Sequence, residues 1–201
     1  FGWGHGSFYS TNPMADVNDV GNADVCARSS PDFSCWLSDG NGFPDAISGP
    51  ALSDASGWDG VQYWSTISMP DVNGDGKADV CARAAAGVSC WLSDGAGLSE
   101  QIAGPELSDA SGWNKVEYYG TLRFADLDAD GKDDVCARAG AGLRCWLSDG
   151  AGFPTQIASE ELSDAKGWNK PEYYSTIRLS DANGDGRADL CARAAAGVLC
   201  W

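Results

Sequence analysis

The same stretch of sequence returns four times at a constant spacing of 55 residues. Each copy carries an acidic loop, starting at Asp16, Asp71, Asp126 or Asp181, followed by a cysteine pair and then a tryptophan. The pairs are Cys26 with Cys35, Cys81 with Cys90, Cys136 with Cys145, and Cys191 with Cys200. The tryptophans directly behind them are Trp36, Trp91, Trp146 and Trp201. A unit of this size is too small to bury its own apolar face, so the copies must stack on one another and the array itself is the domain. The period places the units at residues 1–57, 58–112, 113–167 and 168–201, the last one short of a full copy.

Within the unit 113–167, residues 118–125 read as an inner strand, with Leu122 and Phe124 alternating against polar neighbours. Ile67 with Met69, and Ile177 with Leu179, hold the same places in other copies. After the acidic loop, a strand through Val135, Cys136 and Ala137 turns back into one through Leu143, Cys145 and Leu147. A fourth, weaker strand is expected near Gln156, Ile157 and Ala158, followed by a linker to Trp168. Four short antiparallel strands and a linker make one blade of a β-propeller. No segment sustains a 3.6-residue apolar period, and Gly, Pro, Ser and Asp interrupt the chain too often for a helical solenoid. The fold class is therefore all-β, a propeller of 55-residue four-stranded blades.

The cysteines of each pair stand nine residues apart around a small-residue turn, which brings Cys26 opposite Cys35 and Cys81 opposite Cys90 across a hairpin, and likewise in the later copies. One disulfide per hairpin is expected, and with it an oxidising, extracellular compartment. A zinc site is not supported, because the sole histidine, His5, has no counterpart in the other copies. The formal charge of −16 argues against nucleic acid or an anionic membrane surface as partner. No apolar run is long enough to span a bilayer, so membrane insertion is not expected. The chain opens on Phe1 rather than Met, as a processed or partial product does.

Three of the acidic loops present a complete set of hard oxygen ligands for Ca2+. They are Asp71, Asn73, Asp75 and Asp79; Asp126, Asp128, Asp130 and Asp134; and Asp181, Asn183, Asp185 and Asp189. Position 7 of each, Lys77, Lys132 or Arg187, offers its backbone carbonyl, and a glycine at position 6 allows the sharp turn. Position 12 is alanine in all three (Ala82, Ala137, Ala192), so these are not EF-hands. In the first loop, 16–24, Val20 stands where position 5 needs an oxygen, and weak calcium binding or none is expected. Closed all-oxygen cages of this kind point to a structural rather than a catalytic metal.

The string Asp-x-Asn/Asp-x-Asp-Gly-x-x-Asp after an inner strand, once per blade, resembles the FG-GAP/VCBS repeats of integrin-α-type β-propellers. With Gly57-Trp58, Gly112-Trp113 and Gly167-Trp168 ahead of the inner strand, the order is similar to that of fungal seven-bladed propeller lectins of the Psathyrella velutina type. The resemblance implies blades around a central axis, calcium between first and second strands and, in the lectin branch, sugar pockets between adjacent blades. The cysteine pairs are a departure from that lectin.

Two functions follow as expectations. The first is binding of glycans or glycoproteins, with Trp58, Trp113 and Trp168 at the entry to each blade as stacking platforms and Tyr63, Tyr118 and Tyr173 beside them. The same tryptophans also suit packing between blades. The second is a structural or adhesive module that binds protein, self-associates or accepts a ring-completing chain at an open strand edge. Catalysis is not expected, since no base recurs from copy to copy and the acids are committed to loops and turns.

Overall fold

The computed structural model of the chain describes residues 11–29 and 32–201. These form two compact units, one comprising residues up to Asp71 with Asp75–Glu106, the other Val72–Gly74 with Leu107–Trp201. His5 and Trp3 lie outside the described residues.

The first unit holds two antiparallel sheets. One runs in chain order through β1 (Met14–Ala15), β2 (Asp24–Arg28), β3 (Phe33–Leu37) and β4 (Asp45–Ser48). The other consists of β5 (Val80–Ala84), β6 (Gly87–Ser93) and β7 (Leu98–Ala103). Its inner strand is reduced to a single bridge between Ser68 and Cys81. Pro70 stands where the third copy has Ala125, and proline has no N–H to give a ladder. Val17, Phe33 and Leu98 join residues of both sheets in one apolar cluster.

In the second unit, β8 (Arg123–Ala125), β9 (Asp134–Ala139), β10 (Gly142–Leu147) and β11 (Thr155–Ser159) form a four-stranded sheet. β12 (Arg178–Ser180), β13 (Asp189–Ala194) and β14 (Gly197–Cys200) form a three-stranded one. Burial falls from the middle of the sheet outward: β9 is buried on both faces at nearly every residue, whereas β11 is exposed throughout. Gly142 shows how tight the hairpin is. It sits at φ 130°, and a Cβ there would meet the Ser159 carbonyl at 2.1 Å.

The hairpins bring the cysteines together as their spacing requires. Cys26 pairs in register with Cys35 across β2 and β3, and Cys81 with Cys90 across β5 and β6. Cys136 meets Cys145, and Cys191 meets Cys200, in the same way. The Cα separations are 4.0–4.1 Å, and all four disulfides are formed. Cys26, Cys35, Cys81 and Cys90 are fully buried, so the staples of the first unit lie inside its core.

The expected inner strand over 118–125 is corrected. Only Arg123–Ala125 is strand, and Val116–Tyr119 makes a helical turn. A threonine is responsible: Thr121 Oγ1 donates to the Tyr118 carbonyl at 2.7 Å and accepts the Arg138 N–H at 2.9 Å. The hydroxyl thereby replaces a ladder bond and frees the preceding residues to coil. Thr66 and Thr176 repeat the arrangement with Arg83 and Arg193.

Candidate functional site

Each acidic loop is wound around its first aspartate. Asp126 Oδ1 accepts the N–H groups of Asp128, Ala129 and Asp130 at 3.2, 2.7 and 3.3 Å, and Oδ2 that of Gly131 at 2.9 Å. Asp181 takes Gly184, Asp185 and Gly186 in the same way, and these backbone donors, Gly186 and Gly184 foremost, lower its pKa. Asp71 takes Asp75 and Gly76. The winding gathers the acids: carboxylate oxygens of Asp126, Asp128 and Asp130 lie within 4.8 Å of one another. Three like charges that close repel, and hard oxygens so placed suit a divalent cation.

Lysine at position 7 offsets part of that repulsion. Lys132 Nζ reaches Asp130 Oδ2 at 2.6 Å, and Lys77 Nζ reaches Asp75 Oδ2 at 3.0 Å. The hydrogen bond to Asp130 raises the Lys132 pKa, and that to Asp75 raises the Lys77 pKa.

Position 9 has a role that the ligand pattern does not announce. Asp24, Asp79 and Asp134 are buried, and each ties its loop to the sheet behind it. Their Oδ1 atoms accept the N–H of Ser38, Ser93 and Ser148 at 2.7–2.8 Å. Asp134 Oδ2 accepts the Leu127 N–H at 2.9 Å, as Asp24 Oδ2 does that of Val17. Burial pushes the Asp134 pKa up to about 6 against the pull of these donors, and the charges of Asp128 and Asp126 add to the rise.

The first loop keeps the winding, with Asp16 accepting from Asn18, Val20 and Gly21. Val20 at position 5 is 57% exposed and offers no oxygen. At position 3, however, Asn18 Oδ1 is buried without a hydrogen-bond partner.

The tryptophans expected to stack on sugar are packing anchors instead. Trp58, Trp113 and Trp168 are only 5–7% exposed. Each packs edge to face between the tryptophan of the next hairpin (Trp91, Trp146 or Trp201) and a tyrosine (Tyr63, Tyr118 or Tyr173), at centroid distances of 5.9–6.5 Å. The tyrosines are half-buried and engaged from another side by cations: Arg83 over Tyr63, Arg138 and Lys115 over Tyr118, and Lys170 over Tyr173. Arg28, Arg83 and Arg138 themselves are fully buried. Arg138 donates to the carbonyls of Leu162 (2.6 Å) and Glu117 (3.3 Å) and pairs with Asp164; Arg28 pairs with Asp54. Sequence reading passed these arginines over, although one follows every first cysteine by two residues.

A surface cleft that includes one tryptophan lies in the first unit. Thr11, Asn12, Pro13, Trp64, Ser65 and Ile67 line a cleft of about 290 Å³. Trp64 is half-buried and replaces the tyrosine found at the corresponding positions 119 and 174, a break in the repeat that could have flagged it. In the second unit, Arg123 takes the place of Pro13 and donates to the carbonyls of Ile177, Gly120 and Leu122.

The sequence matches the model of the FG-GAP-like repeat over residues 71–137 and 126–192, more than half of the chain. No curated protein matches it. Among solved structures, it is similar to an Agrocybe aegerita lectin that specifically recognises non-reducing terminal N-acetylglucosamine, with 24% identity and a TM-score of 0.80 over 90% of this chain. The chain spans 45% of that lectin's length. It is also similar to part of the Photorhabdus luminescens Tc holotoxin pore, at 19% identity and a TM-score of 0.65 over 99% of this chain and 9% of the toxin chain. The TcdB2-TccC3-Cdc42 complex matches at 20% identity and a TM-score of 0.53, over 92% of this chain and 8% of that one.

Proposed function

The chain belongs to the FG-GAP-like repeat family, with a propeller fold like that of fungal lectins, and on that footing we propose that it is a secreted, calcium-stabilised lectin module. The observation that carries the proposal is the surface cleft beside Trp64 in a fold shared over 90% of the chain with a sugar-binding protein. An indole face offers stacking to the C–H side of a pyranose, and the exposed residues Asn12 and Ser65 give the rest of the cleft a polar lining. N-acetylglucosamine-terminated glycans are the class to test first. The repeats 1–57, 58–112, 113–167 and 168–201 are its blades.

Calcium would be held by Asp71, Asn73, Asp75 and Asp79, by Asp126, Asp128, Asp130 and Asp134, and by Asp181, Asn183, Asp185 and Asp189. The carbonyls of Lys77, Lys132 and Arg187 complete the sets. The clustered carboxylates of Asp126, Asp128 and Asp130 and the raised pKa of Asp134 fit a cation, which relieves both the repulsion and the burial cost. Bound there, the ion supplies charge neutralisation and rigidity, not chemistry on a substrate. The first loop, with one oxygen replaced by Val20, binds weakly or not at all. Four disulfides call for an oxidising compartment, and among the described residues no helix is long and apolar enough to cross a membrane.

A glycan array probed with and without calcium tests the proposal, with Trp64→Ala as the site control. Calcium-dependent binding to one glycan class that Trp64→Ala abolishes is expected. Binding that survives Trp64→Ala places the site elsewhere, and silence across the array removes the lectin reading.

A further inference from the structure

Consecutive acidic loops are joined through one serine. Ser148 lies outside every loop, 6% exposed, and touches two of them. Its N–H donates to Asp134 Oδ1 at 2.8 Å, the position-9 oxygen of the loop 126–134. Its hydroxyl donates to the Val72 carbonyl at 2.6 Å, in the preceding loop, between Asp71 and Asn73. The hydroxyl also accepts the Gly150 N–H at 3.2 Å, which fixes its orientation. Ser93 repeats this one copy earlier, with Asp79 Oδ1 at 2.8 Å and the Val17 carbonyl at 2.6 Å. A second thread runs along the backbone: the Ala78 N–H donates to the Asp16 carbonyl at 2.8 Å, and the Ala188 N–H to the Asp126 carbonyl at 2.7 Å.

We propose that Ser93 and Ser148 are positioning residues that couple cation occupancy between neighbouring loops, so that calcium binds along the array cooperatively. This rests on the calcium reading above. The physical route is short. Asp134, which would be a ligand of a cation in the loop 126–134, holds the Ser148 backbone, and the Ser148 hydroxyl holds the Val72 carbonyl of the preceding loop. Coupling of this kind is reciprocal, so filling the earlier loop favours the later one by the same factor. Both serines serve one loop by N–H and the other by hydroxyl. Alanine at either position therefore cuts the link and leaves every ligand in place.

Calcium titration calorimetry on the whole chain tests this, with Asp185→Ala as background to silence the last loop. Affinity at the loop 71–79 is expected to fall about five-fold when Asp130→Ala empties the loop 126–134, the equivalent of one ordinary hydrogen bond. Adding Ser148→Ala should abolish that dependence, and Ser148→Thr, which keeps the hydroxyl, should restore it. If emptying one loop leaves the other's affinity unchanged with Ser148 in place, the proposal is overturned, whether or not the alanine variant folds. A dependence that persists in Ser148→Ala overturns the role of the serine. Absence of any calcium uptake by the parent chain overturns this inference together with the calcium reading, whereas uptake without coupling overturns the inference alone.

Discussion

The buried guanidinium of Arg138 sets up a measurable asymmetry. Its side chain is 0% exposed, while that of its partner Asp164 is 40% exposed. Asp164→Ala leaves a charge that water cannot reach, held by the Leu162 and Glu117 carbonyls and the Tyr118 ring alone of its described partners. Stranding a buried charge costs about 3–5 kcal/mol, and the wet side of Asp164 puts this pair at the lower end, about 3 kcal/mol. Arg138→Met removes the charge instead and keeps much of the stem's volume. Asp164 then returns to water, and the cost is the unsatisfied Leu162 carbonyl plus the lost cation–π contact with Tyr118 (5.6 Å), about 2–4 kcal/mol together. Once the charge is gone, losing Asp164 costs little more. The double variant should therefore be about as stable as Arg138→Met alone, a coupling of about 3 kcal/mol. Urea unfolding followed by tryptophan fluorescence, with disulfides intact and calcium in excess, reads this directly. Costs that add to within about 0.5 kcal/mol would refute the reasoning, because they would mean the guanidinium is hydrated in the folded state.

The remaining predictions concern the staples, the loops and the cleft. Replacing Cys136 and Cys145 together by alanine should lower stability by about 2.7 kcal/mol, the loop-closure entropy of a ten-residue ring, in the same urea assay; no loss would mean that the hairpin is held by its ladder alone. Asp130→Ala should lower calcium stoichiometry by one site and the calcium-dependent rise in melting temperature with it. Val20→Asp should add a site, because the buried, unpartnered Asn18 Oδ1 already stands at position 3; unchanged stoichiometry in calorimetry for both variants would break the ligand assignment. Trp58→Ala, in contrast to Trp64→Ala, should act through stability, by about 3–5 kcal/mol for a buried tryptophan, and should leave glycan affinity of the folded fraction intact.

Much of the fold was open to reading because each element repeats. The cysteine spacing, the Asp/Gly register and the alternation at Val135–Ala137 and Leu143–Leu147 are local patterns, and they place β9, β10 and the disulfide correctly. The same spacing joins Cys35 to Cys26 and Cys90 to Cys81. Local periodicity extends the inner strand over residues 118–122, where instead the Thr121 hydroxyl accepts the Arg138 N–H. That bond joins residues 17 apart and leaves no trace in local periodicity. The candidate sugar platforms went the same way. Trp58, Trp113 and Trp168 looked alike as exposed linker residues or as anchors, and only the contacts with Trp91, Trp146 and Trp201 decide between them.

What the sequence by itself determined is whatever depends on neighbours within one hairpin or one loop: strand pairing around the turn, which cysteines meet, and the tight acidic turns whose backbone N–H groups fold onto Asp71, Asp126 and Asp181. Only the tertiary structure decided which aromatic faces are spent on packing, that Arg28, Arg83 and Arg138 are buried, and that Ser93 and Ser148 each reach a carbonyl 76 residues away. The reason is physical. Short-range turns and ladders are governed by dihedral preferences and spacing, which the order of residues encodes directly, whereas burial depends on what another part of the chain places against a residue after folding.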